Sequence, residues 1–349
     1  MQNGPRASII ILNWNGWRDT IECLESIYKI TDLNYDTIVV DNDSDDESLE
    51  KIREYAEGQL EVTSKFFSYS TDNKPLVLIE YSREVAEGGG GKEDLVAGVP
   101  SNKRLILIKN GNNDGFAKGN NIGINYALNT LNPDYIILLN SDTVVKHEFL
   151  SELVWVAEQN EEIGILCPKL LKLHDPTTID STGHIFRWGR IVDRGDGEKD
   201  RGQYDDKKEI IGAIAAACLY RKGMLEEIGL FDESFITGYE DAELSWRAYK
   251  HGWKAQYVPT SLVYHKRGAS INKNKDISTK MGLYYIKNVT MTVKRYATPL
   301  QKIQFTILWL KFGVFSLVGS VIGRNSIGIK PYLFSLVELY NNDCDQQQR

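Results

Sequence analysis

Several protein classes are excluded by what this sequence lacks. Its four cysteines, Cys23, Cys167, Cys218 and Cys344, lie far apart in 349 residues with no C-x-x-C pair. Neither a zinc ribbon nor a disulfide framework is expected, and a reducing compartment is the simplest fit. Positive charge is not in excess: 41 basic against 48 acidic residues leave −7, so there is no bulk attraction for nucleic acid, although a local basic site for a phosphate is still allowed. The start, MQNGPRAS, has no basic n-region or cleavage site, which predicts a cytoplasmic protein. Nor is the chain poor in apolar residues. With 42% hydrophobic and 26% charged residues, it has the composition of one large or two ordinary packed domains, not of a disordered or collagen-like chain.

Familiar ligand loops are missing as well. Gly88–Gly91 runs into Lys92, but a Walker loop needs glycine where Ala86 stands and Ser or Thr where Glu93 stands. After the first apolar run comes Asn13-Trp14-Asn15-Gly16-Trp17, not the G-x-G-x-x-G of a dinucleotide site. Asp41 to Asp46 opens like a calcium loop, yet Asp46 replaces its glycine and Ile52 its bidentate Glu; Asn110 to Asn121 fails in the same way.

What is present is a rhythm of strands and helices. Ser8–Leu12, Thr37–Val40, Leu105–Ile108 and Tyr135–Leu139 are short β-branched runs of the kind that parallel strands bury on both faces. Each stops at or near a polar residue: Asn13, Asp41, Asn110 and Asn140. Trp17–Ile30, Glu47–Glu57 and Asn120–Leu131 read as helices between them. This order predicts an α/β fold, a doubly wound sheet with right-handed crossovers, whose ligands sit beyond the carboxyl ends of the strands. The stretch from Leu60 to Lys103 breaks the rhythm and is expected to be an inserted flap with strands at Phe66–Tyr69 and Leu76–Tyr81. Further on, Gly164–Leu170, Ile210–Tyr220, Lys254–Val258 and Leu262–Tyr264 are strand candidates, and Asp241–His251 a helix. The expected division is a catalytic domain over 1–284, with the insertion at about 60–104, and a helical, apolar extension over 285–349.

The acids at these boundaries have two readings each. Asp41 could hold a base or sugar at the sheet rim, or cap the helix that follows, as Asp43 or Ser44 could. Asn140-Ser141-Asp142 ends the most apolar strand. A carboxylate facing a diphosphate there would need a divalent cation between them, magnesium or manganese by its oxygen ligands; capping is the alternative. Glu240, Asp241 and Glu243 open an amphipathic helix, where the dipole favours acids, but a cluster of three exceeds what capping requires and one could be a general base. His265 ends a strand, where it is either a ligand or a hydrogen-bonded core residue.

Together these residues resemble the family 2 inverting glycosyltransferases, of the nucleotide-diphospho-sugar transferase (glycosyltransferase A) fold, and within them the rhamnosyltransferase-like group. The matching stretches are 8–17 (SIIILNWNGW), 38–49 (IVVDNDSDDESL), 113–125 (NDGFAKGNNIGIN), 137–146 (ILLNSDTVVK), 229–248 (GLFDESFITGYEDAELSWRA) and 257–271 (YVPTSLVYHKRGASI). They fall in the family order and span about three quarters of the chain. The resemblance implies that Asp41 holds the nucleotide base or ribose, helped by Asn13, Asn15 and the turn carrying Lys118, Gly119 and Asn120, with Lys118 placed to neutralise a diphosphate. It implies that Asn140-Ser141-Asp142 is the D-x-D metal motif and that His265 completes the metal shell, with Mn²⁺ or Mg²⁺ as the cofactor. Ser141 falls within the donor site. Asp241 becomes the general base, with Glu240 on the acceptor side and Trp246 and Arg247 supporting the helix and the acceptor pocket rather than the chemistry. The donor leans toward dTDP-rhamnose, and the acceptor is a saccharide or lipid-linked saccharide. Asn140 departs from the pattern, standing where the first carboxylate belongs.

The carboxyl-terminal stretch Ile303–Ile322 is long enough to cross a bilayer, but it carries Lys311 near its middle. With Lys294, Arg295, Lys302 and Arg324 around it, an interfacial or re-entrant membrane contact at the cytoplasmic face is expected over a full span, the alternative being a helix packed on the catalytic domain or on a dimer partner. Two other functions stay open at this stage: a sugar-nucleotide pyrophosphorylase and a non-catalytic scaffold of the same fold.

Overall fold

The computed structural model describes residues 4–30, 34–267, 275–321 and 327–341. Cys344, Arg324, Ile322 and the end of the 257–271 stretch lie outside the described residues. In chain order the first half is β1 (Arg6–Asn13), α1 (Trp17–Ile27), β2 (Asn34–Asp41), α2 (Ser48–Glu57), β3 (Val77–Ser82), α3 (Arg83–Glu87), β4 (Arg104–Lys109), α4 (Gly115–Tyr126), β5 (Tyr135–Asn140) and β6 (Thr143–Val145). There follow α5 (Phe149–Gln159), β7 (Ile163–Lys172), β8 (Asp175–Ser181), β9 (His184–Arg187), β10 (Arg190–Asp193), β11 (Glu209–Ile210), β12 (Ala217–Arg221), α6 (Lys222–Ile228), α7 (Glu240–Lys250) and β13 (Lys254–His265). Three helices close the chain: α8 (Lys275–Tyr296), α9 (Pro299–Val321) and α10 (Lys330–Tyr340).

The expected α/β sheet is present. Its strand order is β11-β13-β7-β12-β5-β1-β2-β4-β3, with β6 also on β13 and β8 on β7. It is mixed but mostly parallel: β3, β4, β2, β1 and β5 run together, β13 runs with β7, and β12 is antiparallel to both β5 and β7. The central strands bury residues of both faces, such as Ile9, Ile10 and Ile11 in β1, because helices cover both sides of the sheet.

Three sequence expectations need correction. Phe66–Tyr69 forms no strand, whereas the strand expected at Leu76–Tyr81 is β3, which lies parallel to β4 as the edge strand of the main sheet. Ile210–Tyr220 is broken into β11 and β12, which pair with different partners. Lys254–Val258 and Leu262–Tyr264 are one strand, with a register shift on β7 between Val258 and Leu262. The expected boundary at 284 lies within α8.

The strand ends come to one level. Asn13 faces Asp41 across β1 and β2, Leu12 faces Asn140 across β1 and β5, and Asp41 faces Lys109 across β2 and β4. A second, smaller core joins α7 and β10 to the carboxyl-terminal helices through Ile191, Trp246, Val289, Phe305 and Trp309.

Candidate active site

The rim begins at the end of β1. Asn13 is buried and clamped: its amide donates to Asp41 Oδ2 at 2.7 Å, and its carbonyl accepts from Thr20 Oγ1 at 2.7 Å. Asp41 is buried as well and accepts from the Ser44 amide (3.0 Å) and the Ser44 hydroxyl (2.7 Å). These two residues therefore shape the turn, and Asp41 serves the capping geometry whatever else it touches. Asn15, at a left-handed φ of 51°, bonds Ser44 and Asp45. Between the two asparagines Trp14 stands 41% exposed, an open aromatic face at the strand end that the sequence reading passed over.

Across the rim, Lys118 pairs with Asp114 at 3.1 Å, and Asp114 is shared with Arg83 at 2.8 Å. Lys118 is therefore not a free positive charge here. Asn120 turns inward and donates to Phe116 O, a tie within the helix. Gly119 has a packing role, since a Cβ there would lie 2.7 Å from Leu12 Cδ1 and hold α4 off β1. Ser141 lies beside Gly16 at the mouth of the β1–α1 turn.

Pairing of β6 with β13 sets Thr143 opposite His265, which brings Asp142 and the histidine together. Asp142 Oδ1 is 3.2 Å from His265 Nε2, while His265 Nδ1 meets Asp180 Oδ2 at 2.8 Å. Arg267 reaches the other oxygen of Asp180 at 3.0 Å, and also Asp193 and Asp196. Burial pulls the His265 imidazolium down, but its bonds and charge pairing with Asp142 and Asp180 win and raise it to about 9. Burial pushes the Asp180 carboxyl up, yet the bond from His265 and the charges of His265 and Arg267 hold it below its usual range. Asp180, on a strand the sequence reading did not find, orients the imidazole so that Nε2 faces Asp142. This is the carboxylate–histidine arrangement that supports metal ligands, in which a divalent ion replaces the shared proton. The donor set fits a cation, but it is small: among the described residues no group of three or more His, Cys, Asp or Glu could enclose one. Further oxygens must come from elsewhere, as they do where magnesium is held by few carboxylates and by substrate phosphates.

Asp241 enters from α7. Its Oδ2 accepts from the Ala215 amide at 3.0 Å and its Oδ1 from the Ala242 amide at 2.7 Å. The neighbouring Ala216 carbonyl accepts from the Asn140 amide at 2.9 Å. Two consecutive residues, Ala215 and Ala216, therefore tie the helix bearing Asp241 to the end of the strand that leads into Asp142, and the two acids share one rim. Gly212, just upstream, lies so close to α7 that a Cβ would come 2.1 Å from that of Ser245; any side chain would displace the helix.

The remaining three expected residues, Glu240, Trp246 and Arg247, are all held within the packing of α7. Trp246 is fully buried, packed against Phe186 and Tyr296. Arg247 is spent on Glu243 and on the carbonyls of Ile228 and Leu230. Both anchor α7, in keeping with the expected support of the helix. Glu240 is only 6% exposed, and its Oε2 has no hydrogen-bond partner. The carboxyl-terminal helices hold the same region: Asn288 donates to the carbonyls of Thr237 and Gly238, and Tyr296 to Glu243.

Burial, then the negative charge of Asp241, push Glu240 up to about 8 from its usual 4.5. The folded chain thus keeps a proton that the unfolded chain has released, so this contribution is present below 4.5 and lost as pH rises through about 8. The raised His265 acts in the same direction, its contribution complete below 6.5 and lost through about 9. The metal-free protein is therefore expected to lose stability from about pH 5 to about pH 9, and Glu240→Gln to melt several degrees higher than the parent near pH 8. Thermal unfolding across that range checks this; parallel curves would mean that Glu240 is not held protonated.

Comparison with known proteins gives a consistent outcome. The pattern of the family described as "Glycosyltransferase like family 2" matches residues 93–278, and that of "Glycosyl transferase family 2" matches residues 8–68. The low-salt glycan biosynthesis hexosyltransferase Agl10 of Haloferax volcanii is 22% identical over 252 residues, 71% of this chain and 80% of its own length. The dTDP-rhamnosyl transferase RfbF of Shigella flexneri is 26% identical over 226 residues, 62% of this chain and 70% of its own. Among solved structures, GalNAc-T7 with UDP, GalNAc and Mn²⁺ superposes with a TM-score of 0.58 at 14% identity. It covers 97% of this chain, which spans 57% of that longer one. The likeness in structure establishes the glycosyltransferase A fold.

Proposed function

Because the chain belongs to glycosyltransferase family 2, we propose that it is an inverting enzyme that moves one sugar from a nucleotide-diphospho-sugar to a saccharide or lipid-linked saccharide acceptor. Glycosyl transfer is the activity of the family, and the specific donor, the inversion and the metal are the proposal. The single observation that supports it is the tie that Ala215 and Ala216 make between the helix bearing Asp241 and the end of the strand leading into Asp142. That arrangement offers a cation-side acid and a base-side acid to a sugar held between them. dTDP-rhamnose is the favoured donor, supported by the likeness to a dTDP-rhamnosyl transferase.

In the proposed reaction an acceptor hydroxyl gives its proton to Asp241. Its oxygen bonds to the anomeric carbon from the face opposite the nucleotide, and the bond from that carbon to the diphosphate oxygen breaks, releasing the nucleoside diphosphate. Asp241 is held for this by the two amides it accepts from, and the helix N-terminus favours its negative charge. Asp142 and His265 would hold Mn²⁺ or Mg²⁺, which supplies charge stabilisation to the departing diphosphate. Trp14 and Asn15 border the base side. Membership in a transferase family leaves the pyrophosphorylase without support, and the paired acids argue against a scaffold.

The test is direct. The purified chain, incubated with dTDP-rhamnose, Mn²⁺ and a prenyl-diphosphate-linked saccharide, is expected to form one product with the anomeric configuration opposite to the donor's, read by NMR. Retention of configuration would sink the single-displacement mechanism, and transfer only from other nucleotide sugars would sink the rhamnose assignment.

A further inference from the structure

Helix α9 is apolar all round, and the structure uses only half of it. Phe305 and Trp309 point into the second core, Trp309 donates to Ser335 of α10 at 3.0 Å, and Ser316 is buried with its hydroxyl on Gly328 O. The opposite side carries Ile303, Ile307, Val314 and Val318, each more than half exposed. Their spacing of four, seven and four positions keeps them on one face of a helix. Alongside, α10 exposes Phe334 (65%) and Val337 (66%). A contiguous exposed apolar face rimmed by polar residues is the mark of a contact surface, and these two neighbouring helices carry half-bare aliphatic and aromatic side chains.

We infer that the outer face of α9 and α10 is a docking surface for an anionic lipid bilayer, on which the protein lies with α9 in the plane of the interface. A full span is excluded by the packing: the inner face of α9 is seated on the soluble domain, where the Gly189 turn comes so close that a Cβ would be 2.0 Å from Gln301 O. Only one side of the helix is left for lipid. Charge selects the kind of surface. From Lys275 to Asn341 the sequence has nine basic residues and two acidic ones, Asp276 and Glu338, in a chain whose net charge is −7. Lys311 lies on the apolar face of α9 with Phe315 beneath its ammonium, and Lys330 opens α10. Among the described residues neither lysine pairs with a carboxylate, and both lie on the exposed side. In a contact between two copies these charges would be buried with Glu338 as the one acid of either helix to meet them, which costs desolvation. At a bilayer surface their aliphatic stems lie along the apolar face while the ammonium groups reach the phosphates. Trp188, 55% exposed, tips the hairpin that packs on the start of α9, and tryptophan is suited to the headgroup layer.

This inference rests on the proposed transfer only in giving a lipid-linked acceptor its place: the same second core that supports α9 holds Trp246 of the helix bearing Asp241. The test uses the full chain in vesicle flotation, with phosphatidylcholine alone and with phosphatidylcholine containing phosphatidylglycerol. Flotation is expected with the anionic vesicles, weakened by high salt. Val314→Glu and Phe334→Glu, both at exposed positions and with unchanged thermal transitions, are expected to lower the bound fraction about tenfold or more. Equal flotation on phosphatidylcholine alone would overturn the anionic assignment. No flotation, or a dimer in light scattering that Val314→Glu dissociates, would overturn the membrane surface itself. Donor binding in solution, read by thermal shift on the same preparations, reports on the transferase site independently.

Discussion

Asp241→Asn is expected to cut the transfer rate by about 10²–10⁴-fold, the usual contribution of a positioned base, while leaving the donor bound as before. The geometry makes this a clean substitution. Asp241 accepts from two amides, those of Ala215 and Ala242. An asparagine can keep one of these bonds through its oxygen, but its NH₂ group must then face the other amide. The cost is about one hydrogen bond, on the order of 1 kcal/mol, so the variant should fold with a slightly lower melting temperature. Initial rates and calorimetric donor titration, run on one preparation, separate the two effects. If donor affinity fell in step with the rate, Asp241 would be a structural cap of α7 and the base would have to be sought elsewhere.

The second large effect is expected from Asp142→Ala. In Mn²⁺ the affinity for nucleotide donor should drop about 10–100-fold, and His265→Ala should give a milder lesion of the same kind, as should loss of the supporting Asp180. In the presence of a chelator the parent and the variant should bind donor alike, because the lost ligand acts only through the cation. The contact between Asp142 and His265, 3.2 Å, is what links these positions. Removal of either leaves a lone donor atom facing the space where a cation would sit. An Asp142→Ala protein with unaltered metal dependence would refute the assignment, and the charge contacts of His265 would then be a buried structural network.

Much of this was legible along the chain. The runs ending at Asn13, Asp41 and Asn140 needed only local pattern, since a strand buried on both faces must be apolar throughout and must turn polar where it leaves the sheet. The extension was also legible as apolar and helical. What escaped were residues whose meaning depends on a distant partner. Asp180 is unremarkable in its own segment and matters because β8 pairs with β7, which sets it beside a histidine 85 positions away. Val77–Ser82 looked like part of an insertion because nothing nearby says that its partner is β4 and not a neighbour within the loop.

Sequence alone determined the central strands β1, β2, β4 and β5 with their polar stops, because these follow from short-range periodicity, and it carried the resemblance to the family in its motif stretches. Tertiary structure alone decided direction. It turned Trp246 and Glu240 inward, brought Asp241 to the rim that holds Asp142, and left one side of α9 bare. The physical reason is that a helix pattern names the residues on a face, whereas the neighbour that covers the face is chosen by packing among segments a hundred residues apart.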